Sequence, residues 1–343
     1  MLRETNLATG RATILAQDAR LRDTGEFGAI DRFASKLAKR AGVRVGLGDD
    51  CAVLDALNTP VISCDALVEA VHFRRDWTSA FDLGRKTLAV SVSDLASSGA
   101  RPVAAFLSLC TPPDLEMAWL DSFYDGMESL AEEFDFSVAG GDTTSAPQLV
   151  LSATLIGELL PEAMGRPVLR QGAQLGDLVC VSGNLGASSA GLQLLLSGNA
   201  TFSPAHAAVL ERHFNPTPRL QTMRVLLEAN RDAIHAAMDI SDGLSGDARH
   251  IAQRSQKRLT IDANSLPIAA TTGEVAEQLG LDAQTLALGG GEDYELLLCI
   301  VPQAFPALNE AVNGALTRVG EVVEGEVGVQ VLNAGEACSW THF

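Results

Sequence analysis

The sequence predicts an α/β protein of two domains, and three observations carry that expectation. Short apolar runs ending in aspartate recur in both halves, at Gly46-Leu47-Gly48-Asp49-Asp50, Val61-Ile62-Ser63-Cys64-Asp65 and Met238-Asp239-Ile240-Ser241-Asp242-Gly243, and each reads as a buried strand opening into an acidic turn. Glycine is plentiful (31) and aromatics are scarce (5%), which suits many tight strand-to-helix turns. A chain of 343 residues also exceeds the roughly 250–300 at which one core stops growing, and 47% hydrophobic content supplies material for two.

Taken in order, residues 1–24 lack an amphipathic period and read as a loose extension, 25–160 as the first domain and 161–343 as the second. Ile30, Phe33, Leu37 and Ala38 give a helix one apolar face, and Gly42 ends it. Strands follow at 43–47, 52–54 and 61–64, each delivering acid at its end. Leu88, Val92, Leu95 and Ala96 stripe a helix over 81–97, with Asp94 near its C-terminal end, where the helix dipole disfavours an anion; it is either exposed there or held by a metal. A strand at 103–109 precedes a helix striped by Trp119, Leu120, Phe123, Met127, Leu130 and Phe134, and Tyr124 falls off that stripe. Gly140-Gly141-Asp142-Thr143-Thr144 reads as a turn between strands at 136–139 and 149–156. Residues 158–166 read as the link between domains; beyond it come strands at 178–182, 259–262, 294–301, 318–323 and 327–332 and helices at 187–196, 204–213, 218–230 and 247–254.

Composition excludes several classes. A formal charge of −18 argues against nonspecific binding to nucleic acid or anionic lipid. Six cysteines (Cys51, Cys64, Cys110, Cys180, Cys299, Cys338) form no CxxC pair and read as small buried hydrophobes. No signal peptide and no apolar run long enough to span a membrane is evident, so the cytoplasm is the expected compartment.

The chemistry suggested is that of phosphate beside a hard cation. Gly140 and Gly141 let backbone N–H groups approach a ligand, and the Asp142 carboxylate and threonine hydroxyls beside them are oxygen donors; the alternative reading is an ordinary turn. Two unit charges about 4 Å apart repel by roughly 4 kcal/mol at an effective dielectric of 20, so converging aspartates call for divalent metal. No P-loop, dinucleotide fingerprint, HxxxH pair or GxSxG elbow is present. An ionised phosphate acceptor needs no general base, because its second pKa lies near 6. Glu292, in Gly289-Gly290-Gly291-Glu292-Asp293-Tyr294-Glu295, is a candidate acceptor for an amino-bearing substrate or else part of a solvated loop. His72 is a candidate for the same cleft, and Trp340 is either a core plug or a stacking platform.

Eight motifs in order, from Gly25-Glu26-Phe27 through Gly48-Asp49-Asp50-Cys51-Ala52, Ile62-Ser63-Cys64-Asp65, His72-Phe73, Ser93-Asp94-Leu95-Ala96, Gly140 to Thr144 and Asp239 to Gly243, to Gly291-Glu292-Asp293-Tyr294-Glu295, resemble those of the thiamine-monophosphate kinase family. That family's superfamily includes aminoimidazole ribonucleotide and selenophosphate synthetases. The resemblance implies an N-terminal mixed sheet with helices used for homodimerisation and a C-terminal α/β domain completing the substrate site. It implies several Mg²⁺ ions ligated by Asp50, Ser63, Cys64 (through its backbone), Asp65, Asp94, Asp142, Asp239 and Asp242, six of which, Asp50, Asp65, Asp94, Asp142, Asp239 and Asp242, would carry catalysis through the metal. Tyr124, Gly141, Asp142, Arg170 and Ser241 would contact ATP, and His72, Glu292 and Trp340 would contact thiamine monophosphate. The implied reaction is in-line transfer of the γ-phosphoryl group of ATP to thiamine monophosphate, giving thiamine diphosphate. Two rivals remain at this point. One is another ATP-dependent enzyme of the superfamily, although selenophosphate synthetases normally use a reactive residue near the N-terminus and no cysteine precedes Cys51. The other is a non-catalytic cation-binding module.

Overall fold

The computed structural model describes residues 20–24, 26–47, 50–198 and 203–334. The first half is built on a four-stranded sheet. Two short helices, α1 (Leu21–Thr24) and α2 (Glu26–Ala34), lead to a ribbon of β1 (Val43–Val45) and β2 (Val53–Leu54). Then follow β3 (Pro60–Val68), α3 (Ala80–Ser97), β4 (Ala100–Thr111), α4 (Met117–Glu133), β5 (Ser137–Ser145) and β6 (Val150–Leu159). The sheet runs β3-β6-β4-β5, antiparallel except for the parallel pair β4 and β5, so it is mixed, as the sequence led one to expect.

The second half comprises β7 (Leu178–Ser182), α5 (Ala187–Ser197), α6 (Pro204–Phe214), α7 (Leu220–Asn230), β8 (Ile234–Asp239), α8 (Leu244–Ser255), β9 (Arg258–Asp262), α9 (Ala270–Gln278), α10 (Ala283–Gly289), β10 (Leu296–Ile300), α11 (Phe305–Ala311), β11 (Leu316–Val323) and β12 (Gly328–Leu332). Its six-stranded sheet runs β12-β9-β11-β7-β10-β8, and only β12 and β9 are parallel. All five residues of β10 are buried, which is why Leu296 to Ile300 is an unbroken apolar run rather than an alternating one.

Helix α3 is the element that both halves share. Ser79 caps it, accepting the Asp82 N–H at 3.0 Å while donating to the Asp82 carboxylate at 2.6 Å. One face packs on β3, β4 and β6, and the helix also touches α4, α7 and β8. The main core is correspondingly continuous, running from Leu88, Leu95 and Phe123 to Leu226, Leu298 and Ile300. Helices α3 and α4 meet almost backbone to backbone. A Cβ on Gly84 would stand 2.0 Å from the carbonyl oxygen of Phe123, and one on Gly126 would stand 2.0 Å from that of Phe81.

Three readings of the sequence change here. Gly140 to Thr144 is not a turn: β5 continues through Ser145 beside the 12-residue β4, and Gly141 is required because a Cβ would lie 2.0 Å from the Leu107 carbonyl oxygen. Of the N-terminal extension, residues 1–19 lie outside the described residues, but α1 is packed, with Leu21 buried and its N–H donating to the Leu115 carbonyl at 3.1 Å. Of the cysteines, Cys180 and Cys299 are buried, Cys110 is half-buried and Cys51 and Cys64 are exposed; Cys338 lies outside the described residues.

Alanine normally stabilises a helix interior by about 1 kcal/mol relative to glycine. At Gly84 the sign should reverse. Gly84→Ala is expected to lose about 2 kcal/mol through overpacking against α4, read as a lower urea midpoint with an unchanged slope.

Candidate active site

The acidic residues that converge do so around α3. Strand β3 turns Ser63 and Asp65 toward the helix, because alternate side chains face one side. Ser91 Oγ donates to Asp65 Oδ2 at 2.5 Å, and Ser63 Oγ lies 2.5 Å from Asp94 Oδ2 and 3.1 Å from Asp65 Oδ2. A hydroxyl has one proton, so Ser63 cannot satisfy both carboxylates. Asp239, the last residue of β8, accepts from Ser93 Oγ at 2.7 Å and lies close enough to Asp94 to feel its charge.

Electrostatics agree with this geometry. Burial, and then the neighbouring Asp65, push the Asp94 carboxyl up; the Ser63 hydrogen bond and the Arg170 charge oppose them. Burial followed by Asp94 pushes Asp239 well above the usual carboxylate range. Just beyond β8, Asp247 at the start of α8 accepts the N–H groups of Ser241 (3.0 Å) and Asp242 (3.1 Å), fixing the turn that carries both. Burial and Asp242 raise Asp247 to about 7. Arg170 faces this group from a cleft of about 410 Å³, which Ser63, Asp94 and Arg254 also line.

A second region adjoins the first through Tyr294, whose hydroxyl is pushed up by burial and then by Glu292, Asp239, Asp65 and Asp94, all close by. Glu292 and Tyr294 both have positive φ (65° and 49°), and their N–H groups donate to Ser241 at 2.7 Å and Ile240 at 2.8 Å, tying this loop to the acidic turn. Glu292 pairs with buried Lys86 of α3. A cavity of about 340 Å³ opens beside them, lined by His72, Phe73, Trp77, Lys86, His213 and Phe214 among others. His72 Nδ1 accepts the Val68 N–H at 3.0 Å, so in the neutral ring the proton is on Nε2.

A third region stands apart. Tyr124 is buried and stacked on Phe33, with centroids 4.1 Å apart, and lines a small pocket with Gly141 and Asp142. Strands β5 and β3 are opposite edges of the sheet, three strand spacings or roughly 14 Å apart. Asp50 is exposed beyond the β1–β2 ribbon, which packs on β5. Within one chain, therefore, Asp65, Asp94, Asp239, Asp242, Ser241 and Arg170 come together, Asp142, Gly141 and Tyr124 form another group, and Trp340 lies outside the described residues. Among the described residues no three acidic, histidine or cysteine side chains are spaced to share one metal ion in this arrangement. The donors nevertheless fit a hard cation: they are carboxylate and hydroxyl oxygens, half-buried to buried, with fewer hydroxyl protons than carboxylate oxygens to receive them. Cys64 Sγ faces away from Asp65 and accepts from Thr154 Oγ1 at 3.3 Å, so only its backbone is available on this edge strand.

Sequence reasoning missed Lys86, Trp77 and Asp247. Only Asp247 carried a signal, as an acid in the first turn of a helix that follows a tight acidic loop.

His213 is buried between Lys86 and Glu292; burial first, then the Lys86 charge, holds it down to about 4. A folded pKa below the unfolded value near 6.5 contributes stability that is complete above 6.5 and lost as pH falls toward 4. His213→Gln is expected to remove about 2–3 kcal/mol of that pH-dependent loss, measured by urea unfolding at pH 7 and pH 4.5.

Comparison with known proteins agrees across the chain. The family model for AIR synthase related protein, N-terminal domain, matches residues 48–159, and that for the C-terminal domain matches 174–332. Thiamine-monophosphate kinase of Aquifex aeolicus is 36% identical over 94% of this chain and all of that protein. The crystal structure of thiamine-monophosphate kinase from Stenotrophomonas maltophilia K279a superposes with a TM-score of 0.77 at 38% identity, covering 90% of this chain and 96% of that one. The structure of AaThiL complexed with AMPPCP and TMP gives 0.75 at 36% identity, covering 95% and 99%.

Proposed function

Because this chain belongs to the thiamine-monophosphate kinase family, we propose that it phosphorylates thiamine monophosphate with ATP by in-line transfer, at the junction of α3 with the two sheets. The observation that carries the site assignment is the convergence of half-buried Asp65 and Asp94 on buried Asp239, with Arg170 facing the group across a cleft. Arg170 binds nucleotide phosphates as a fixed positive charge. Ser241, held by the Asp247 cap, sits in the turn just beyond β8. His72 and Glu292 orient the second substrate, and the cavity beside them, with Trp77 as an aromatic wall, has the volume for its rings. The acceptor phosphate arrives ionised, so none of these residues has to remove a proton. Asp50, Ser63, the Cys64 carbonyl, Asp65, Asp94, Asp142, Asp239 and Asp242 would hold Mg²⁺, which when bound neutralises charge on both phosphate groups.

The separation of Asp142 and Tyr124 from the Asp65 group is the reason to propose a homodimer. The sheet face turned away from α3 carries Ile62, Cys64, Phe106, Val150 and Ile156, and Ile62 is 65% exposed. A second copy laid on this face would bring its β5 edge to the β3 edge of the first and complete the site.

Purified protein given ATP, Mg²⁺ and thiamine monophosphate should form ADP and thiamine diphosphate in equal amounts. Asp239→Asn should abolish turnover yet raise the melting temperature by several degrees at pH 8 in chelator, since it removes a buried repelling charge. ADP release that ignores thiamine monophosphate would refute the substrate assignment. If the site is shared, Asp65→Asn and Asp142→Asn proteins, each inactive, should recover up to about a quarter of wild-type activity once unfolded and refolded together, because random pairing gives mixed dimers with one intact site.

A further inference from the structure

We propose that Lys86 is a positioning residue that holds Glu292 ionised and aimed at an amino group on the aromatic ring of the substrate; this rests on the kinase reading above. Lys86 is 4% exposed, on the face of α3 turned toward the second half of the chain. Its Nζ lies 3.0 Å from each Glu292 carboxylate oxygen and 3.0 Å from the His213 carbonyl oxygen. Two of the ammonium's three donors go to Glu292 Oε2 and the His213 carbonyl, and Glu292 Oε1 stands in ion-pair contact. Lys86 also lines the aromatic cavity, but its charge is directed at the Glu292 carboxylate, so it acts through Glu292.

The pairing also decides which neighbour supplies the charge. His213 Nδ1 lies 3.3 Å from Glu292 and 3.0 Å from Ser188 Oγ, but its ring is neutral at pH 7, leaving Lys86 as the cation of the pair. Burial pulls the Glu292 carboxyl upward, but the Lys86 charge and the Lys86 hydrogen bond hold it below its ordinary value. The backbone of Glu292 has φ 65°, a conformation that a non-glycine residue keeps only when its surroundings enforce it. Its two restraints are the N–H bond to Ser241 and the ion pair to α3, the latter joining residues 206 positions apart. An ionised carboxylate fixed in this way accepts an N–H and rejects a ring that offers none, because the buried acceptor would be left unpaired.

The test compares wild type, Lys86→Met, Glu292→Gln and the double variant with ATP, thiamine monophosphate and the analogue of the latter whose ring amino group is replaced by hydrogen. Lys86→Met should raise KM for thiamine monophosphate about tenfold or more, leave KM for ATP within about twofold, and reduce discrimination against the desamino analogue about tenfold. In the Glu292→Gln background, the lysine substitution should add nothing. If Lys86→Met does not fold, the double variant, which removes both charges, is compared with Glu292→Gln alone and should match it. A folded Lys86→Met enzyme with wild-type discrimination, a rise in KM for ATP instead, or a further loss in the Glu292→Gln background would overturn this role. A wild-type enzyme inactive on thiamine monophosphate would overturn both this inference and the kinase reading beneath it.

Discussion

Repulsion among converging carboxylates is the constraint around which the fold is arranged. Asp65, Asp94 and Asp239 arrive from β3, α3 and β8, and each meets at least one serine hydroxyl, from Ser63, Ser91 or Ser93. Hydrogen bonds to charged groups contribute about 1.5–3 kcal/mol apiece, and one close pair of like charges in a protein opposes folding by roughly 4. The serines thus offset part of the repulsion and leave a residue of it, to be relieved by protons and, on the reading above, by cations and substrate. Stability and function pull in opposite directions here, as they do wherever a site is tuned for charge it does not itself contain.

That tension can be sustained because α3 is held on all sides. Gly84 and Gly126 let α4 approach until backbone meets backbone, and the core runs past the helix from one sheet to the other without a break. Asp94 and Ser93 project at one end of the helix toward the acidic group, while Lys86 reaches from nearer the other end to the Glu292 loop. The carboxylate cluster and the aromatic cavity are therefore two ends of one rigid object.

Much of this was legible in the sequence, and the gaps have physical causes. Amphipathic stripes located α3 and α4 within a few residues, since packing on one face writes its period into the chain. The acids at strand ends were visible for the same kind of reason: Asp65 and Asp239 lie in or at the end of apolar strands where solvation alone would not put them. Gly140 to Thr144 misled because glycine marks both turns and close approaches of backbone, and only the neighbouring Leu107 carbonyl distinguishes them. Tyr124, off the stripe of its helix, is buried because α2 covers it, which no local pattern reports. Lys86 was invisible in principle, as its partner is 206 positions away and a lysine in a helix ordinarily signals solvent.

Lys86 and Asp94 are eight positions apart on one uninterrupted helix, which sets their Cα atoms about 12 Å from each other. The helix acts as a measuring rod between the end of the substrate that is recognised and the end that reacts. Loops around it can lengthen or shorten with little effect on that gauge. Adding a single residue within the rod would swing one end about 100° around the axis, so this enzyme could adopt a longer or shorter substrate only by moving a whole turn at a time.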